Sequence, residues 1–149
     1  MYPKNALRAA TALALLTATG AMAETITIAT VNNGDMIRMQ GLAEDFTSQN
    51  PDIQLEWVTL EENVLRQRVT QDIAANGGQF DVMTIGTYEV PIWGKQGWLV
   101  SLNDLPESYD ADDILPAIRG GLTVDGELFA APFYGESSMV MYRKDLMEK

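Results

Sequence analysis

Between Glu24 and Gly86 the chain passes three times through the same order of signals, and that order leaves few folds open. Glu24-Thr25-Ile26-Thr27-Ile28-Ala29-Thr30-Val31 alternates Thr with Ile and then turns fully apolar, as a strand entering the middle of a sheet does. Asn32-Asn33-Gly34-Asp35 stops it, with Asp35 in place to cap a helix whose stripe is Met36, Met39, Leu42 or Ala43, and Phe46, ending at Asn50-Pro51. The second pass is the strand Ile53–Val58, apolar at its odd positions, then Thr59 and Glu62 at the spacing of a capping box, then the stripe Leu65, Val69, Ile73 closed by Asn76-Gly77-Gly78. The third opens on Phe80–Gly86, a short apolar run between turn signals that reads as a buried parallel strand. Three βα units in succession predict an α/β fold, a parallel central sheet with right-handed crossovers and helices on both faces.

Downstream, the sequence predicts a short helix over Val90–Gln96, a loop at Leu102–Pro106, and a helix from Asp110-Ala111-Asp112-Asp113 toward Arg119, closed by Gly120-Gly121. Asp125-Gly126 between Thr123-Val124 and Glu127-Leu128-Phe129 is a two-residue hairpin signal. A polar-aromatic cluster, Tyr134 to Ser138, then interrupts an apolar stretch before a second strand, Met139–Tyr142, and a helix begun at Arg143. At the start of the chain, Lys4 and Arg8, the apolar run Ala9–Thr19 and the small-x-small Ala21-Met22-Ala23 read as a cleaved signal peptide, residues 1–23. That leaves 24–149 as the folded part, exported from the cytoplasm. The apolar run is well short of the roughly 20 residues that cross a bilayer.

Residue inventory removes several chemistries. The chain has no His and no Cys, so Ser-His-Asp and Cys-His nucleophile systems, His- or thiolate-held metals and disulfides are excluded. Ten basic residues face 21 acidic ones, a net −11, which argues against nucleic acid and anionic membranes and favours a soluble monomer. No GxGxxG, P-loop or GxSxG is present, and no cofactor is implied.

Open parallel sheets bind ligands beyond the carboxyl ends of their strands, here Asn32–Asp35, Thr59–Asn63 and Gly86–Glu89. Asn33 and Asp35 carry groups able to hold vicinal hydroxyls, or else form a capping turn. Glu61 and Glu62 are helix neighbours that diverge, which speaks against a catalytic pair; Glu61 stays a rim candidate or solvated surface. The acids at Asp110, Asp112 and Asp113 lack the Gly and distal Glu of a calcium loop and suit a helix start. Tyr88, Trp93 and Trp98 are each core candidates, yet together beside a rim they suit the C–H face of a sugar. Tyr134 and Glu136, polar groups set before an apolar strand, are balanced between a salt-bridged loop and a binding role.

These stretches resemble the extracellular solute-binding proteins of ABC-type sugar importers, the group that includes maltose-binding protein. Asn33-Gly34-Asp35 resembles the family's first ligand loop and Phe80-Asp81-Val82-Met83 its strand that opens on Asp-Ile and a hydrophobic residue. Gly126–Pro132 resembles its hairpin, and Met139–Leu146 the strand that crosses between lobes. Trp57–Arg68 and Gly86–Gly94 look most like the sorbitol/mannitol-binding branch. The resemblance implies a periplasmic-binding-protein-like fold, the chain being the first lobe of a two-lobed hinge protein. It further implies capture of a polyol or sugar for ABC permease subunits, without catalysis. The ligand-binding residues expected are then Asn33, Asp35, Glu61 and Glu136 for hydroxyls, with Tyr88, Trp93 and Tyr134 as aromatic platforms. Met36 stands where maltose-binding protein has Lys, which counts against a maltodextrin. The acidic excess keeps a polyamine or other cationic ligand as an alternative, and Glu136 with a second acid a secreted glycosidase.

Overall fold

The computed structural model describes residues 23–136 and 139–148. The signal-peptide expectation for 1–23 therefore lies almost wholly outside the described residues, as do Ser137, Ser138 and Lys149. Strand β1 (Glu24–Val31) is the centre of a three-stranded parallel sheet in the order β2-β1-β3, with β2 at Ile53–Leu60 and β3 at Val82–Met83. The register pairs Thr30 with Thr59 and Ala29 with Met83. Ala29 and Thr30 are neighbours on the strand and both are fully buried, so both faces of β1 are covered. That is why its sequence loses the Thr/Ile alternation toward its end. The helices between the strands are α1 (Gly34–Gly41), α2 (Ala43–Gln49) and α3 (Glu62–Ala74), and α4 (Glu89–Lys95) follows β3. A parallel sheet flanked by helices was expected, and it is present.

Leu65 and Val69 of α3, Ala29 of β1, Phe80 and Trp93 of α4 form the first core. Val90, Leu122, Val124 and Leu128 form a second, and Ile85 and Leu99 pack against both. Helix α5 (Pro116–Leu122) and the hairpin β4 (Thr123–Val124) and β5 (Glu127–Leu128) supply the second core. Asp125 and Gly126 both take positive φ, 52° and 90°, the backbone that a two-residue type I′ turn requires.

Six local expectations need correction. The first helix is interrupted at Leu42, which ends α1 and starts α2. The cap of α1 is Asn33, whose side chain accepts from the Met36 N–H at 2.9 Å, while Asp35 sits in the first turn paired with Arg38. No capping box forms at α3: Thr59 is held in the β2 ladder, and Glu61 caps the helix by accepting from the Asn63 N–H. Its neighbour Glu62 pairs instead with Arg66. The expected strand Phe80–Gly86 shrinks to β3 because Asp81 uses its carboxylate, as well as its N–H, to bond Thr27. Further on, Asp110 adopts a left-handed backbone (φ 50°) between two short 3-10 turns, so the helix starts only at Pro116 and encloses Gly120-Gly121. Finally, Met139–Tyr142 is not a strand among the described residues. These four side chains are 68–89% exposed and no neighbour offers them a ladder. The last helix, α6, is short (Lys144–Met147).

Candidate functional site

Parallel register brings the carboxyl ends of β1 and β2 level, since Val31 pairs with Leu60 and the Asn32 N–H continues the ladder to the Leu60 carbonyl. The end of β3 is tied to β1 by a hydroxyl pair, Thr30 Oγ1 to Thr84 Oγ1 at 2.9 Å. Three loops thus leave one edge of the sheet together. From the first comes Asn33, whose Oδ1 is committed to the helix cap and whose Nδ2 donates to the Tyr134 hydroxyl at 3.1 Å. That bond joins residues 101 positions apart and draws the segment after β5 onto the rim. Phe133 packs edge-on to Tyr134, and with Asp35, Arg38, Met39 and Leu42 the two rings line a hollow of about 360 Å³. Asp35 is half exposed and bonded to Arg38 at 2.9 Å.

The structure therefore unites Asn33, Asp35 and Tyr134. Glu61 lies at the end of β2 as the cap of α3, and Tyr88 on the loop after β3, half exposed. Glu136 is exposed and makes no ion pair among the described residues. Trp93 is not a rim platform: it is 5% exposed, seated in the first core with its ring 6.5 Å from that of Trp98.

Two residues that sequence reasoning missed stand beside Tyr88. Glu89 is buried, its Oε2 accepting from the Gly86 N–H at 2.6 Å and its Oε1 facing Arg66 Nε at 3.2 Å. The Arg66 guanidinium also bonds Glu62 at 2.9 Å and lies 4.9 Å from the centre of the Tyr88 ring. Partial loss of water and the adjacent Glu89 carboxylate push the Tyr88 hydroxyl above its ordinary pKa, against the opposing pull of Arg66. Only the Glu62–Arg66 spacing of four was visible in sequence; the partner 23 residues further on was not. Among the described residues no group of acids is arranged to hold a metal ion.

The sequence pattern of the family described as bacterial extracellular solute-binding protein matches residues 33–149. The chain belongs to that family. Within it, the chain is 59% identical over 146 residues to the mannitol-binding protein of Pseudomonas aeruginosa, covering 97% of this chain and 33% of that protein. An ABC transporter solute-binding protein from Agrobacterium vitis S4, solved with bound D-mannitol, is 71% identical and superposes with a TM-score of 0.75. That match covers 85% of this chain and 31% of that one. A second, from Agrobacterium radiobacter K84 in complex with ribitol, is 25% identical with a TM-score of 0.64, covering 74% and 29%. The chain spans about a third of the length of these relatives. The likeness to the sorbitol/mannitol branch seen in Trp57–Arg68 and Gly86–Gly94 agrees with them, and these relatives are binding proteins, not enzymes.

Proposed function

We propose that this chain contributes the first lobe of a periplasmic binding protein that captures an acyclic polyol of the mannitol type and delivers it to the permease subunits of an ABC importer. The observation that carries this is the 71% identity, over 85% of the chain, to a solute-binding protein holding D-mannitol. In this reading residues 1–23 are a secretion signal removed on export, and 24–149 form the lobe of a monomeric protein. No chemistry is performed. A hexitol offers a row of hydroxyls, each both donor and acceptor, and the rim offers the matching groups. Carboxylates of Asp35, Glu61 and Glu136 accept from ligand hydroxyls, the Asn33 amide and the Tyr134 hydroxyl exchange their mutual bond for ligand bonds, and Tyr88 adds an aromatic edge. Charge-assisted bonds of this kind are the stronger class, which suits capture of a neutral, well-hydrated solute. Closure then follows from contacts that only the closed form makes.

Calorimetric titration of the full-length gene product with D-mannitol, D-sorbitol, ribitol and maltose tests this. Tight binding of a hexitol, weaker binding of maltose and little change between low and high salt are expected. A folded protein that takes up none of the polyols would refute the proposal, and steep weakening with salt would point to a cationic ligand instead.

A further inference from the structure

Glu89 poses a problem that the ligand reading leaves open. Its side chain is 8% exposed, and a carboxylate that far from water is costly unless each oxygen is engaged. Both are: one by the Gly86 N–H at 2.6 Å, the other by Arg66 Nε at 3.2 Å. A buried carboxylate paired in this way is weak evidence of a gain in stability. The geometry around it is more informative. Gly86 lies within the loop that carries Tyr88 from β3 into α4, Glu89 is the first residue of α4, and the carboxylate ties the last turn of that loop back to the Gly86 N–H. Arg66 then fastens the closed loop to the first turns of α3, through Glu62 at 2.9 Å, and lays its guanidinium over the Tyr88 ring at 4.9 Å. No room is left for play at the closure, since even a methyl group on Gly86 would come within 2.7 Å of Glu89 Oε2 and 3.0 Å of the Tyr88 ring.

We propose that Arg66 and Glu89 are positioning residues of the binding rim, holding Tyr88 in one orientation before a polyol arrives. The assignment rests on the polyol reading above. A side chain fixed in advance loses less freedom on binding, so the network tightens the site without touching the ligand. It also couples two of the three rim loops, because Glu61 caps α3, and Arg66 of that helix contacts both Glu89 and Tyr88.

The test uses the full-length gene product and D-mannitol. Arg66→Met keeps the aliphatic stem and removes the fork; a rise of up to about tenfold in Kd is expected, the cost of immobilising one side chain on binding instead of beforehand. Arg66→Lys, which keeps the charge, should recover part of it. In a Tyr88→Ala background Arg66→Met should change Kd little, because the effect passes through Tyr88. Without ligand, the Gly86 amide should exchange about tenfold faster in Arg66→Met than in wild type, a readout independent of which solute binds. Unchanged Gly86 exchange, or equal effects of Arg66→Met with and without Tyr88, would overturn the positioning role while leaving the polyol reading intact. A wild type that binds no hexitol removes the polyol reading, and the ligand role assigned here falls with it.

Discussion

Gly86→Ala is a substitution whose ordinary sign the structure reverses. Its backbone is not in the left-handed region, so alanine meets no conformational penalty. On general grounds the change should then stabilise by about 0.4–1 kcal/mol through the unfolded chain. Here the new Cβ would sit 2.7 Å from Glu89 Oε2, and 3.0 and 3.2 Å from two carbons of Tyr88. Glu89 is pinned by Arg66 and buried, so the carboxylate yields only by abandoning the Gly86 N–H. A hydrogen bond to a charged group contributes about 1.5–3 kcal/mol, and after the alanine gain the net is a loss of about 1–2 kcal/mol. Urea unfolding of wild type and variant, compared at equal m, measures it. Gly120→Ala serves as the control: Gly120 lies within α5, has nothing within 4 Å of the added methyl and should gain up to about 1 kcal/mol. If Gly86→Ala proves as stable as wild type or more so, the tight closure of the Tyr88 loop is wrong.

Three further substitutions probe the frame and the rim. Asn33→Ala should cost about 1 kcal/mol by removing the α1 cap, whereas Asn33→Ser keeps a cap. Both lose the Tyr134 bond and should weaken D-mannitol binding alike, and equal stability of the two variants would refute the cap. Leu65→Ala, 3% exposed against Ala29, Val69, Phe80 and Trp93, should lose about 2–5 kcal/mol in urea unfolding; a loss under 1 kcal/mol would contradict the core as described. The phenolate absorbance of wild type minus Tyr88→Phe should appear above the ordinary value of 10.0, and Glu89→Gln should lower its midpoint. Because the folded-state pKa is the raised one, the stability linked to Tyr88 is complete below about pH 10 and is lost as pH rises through the folded value. A midpoint at or below 10 would refute the effect of Glu89.

Sequence by itself determined the order of the elements and the kind of sheet. The three βα passes, the Asp125-Gly126 turn and the stripe Leu65, Val69, Ile73 are local patterns, and a local pattern fixes a backbone period wherever the partner lies. The same patterns located the rim, because parallel strands must end on one edge. Sequence alone went wrong where two local solutions compete for one group. Asn33 and Asp35 could each cap α1, and Thr59 could cap α3 or stay in the β2 ladder; only pairing across the sheet with Thr30 decides the latter. Trp93 taken singly suited the core and was assigned to the rim only by its grouping with Tyr88 and Trp98 and by the family resemblance, whereas packing with Trp98, Phe80 and Ala29 keeps it in the core. Tertiary structure alone decided the contacts between distant residues: Asn33 with Tyr134, and Arg66 with Glu89. No periodicity encodes these, since each joins groups on different elements whose distance is set only when the sheet and its helices have packed.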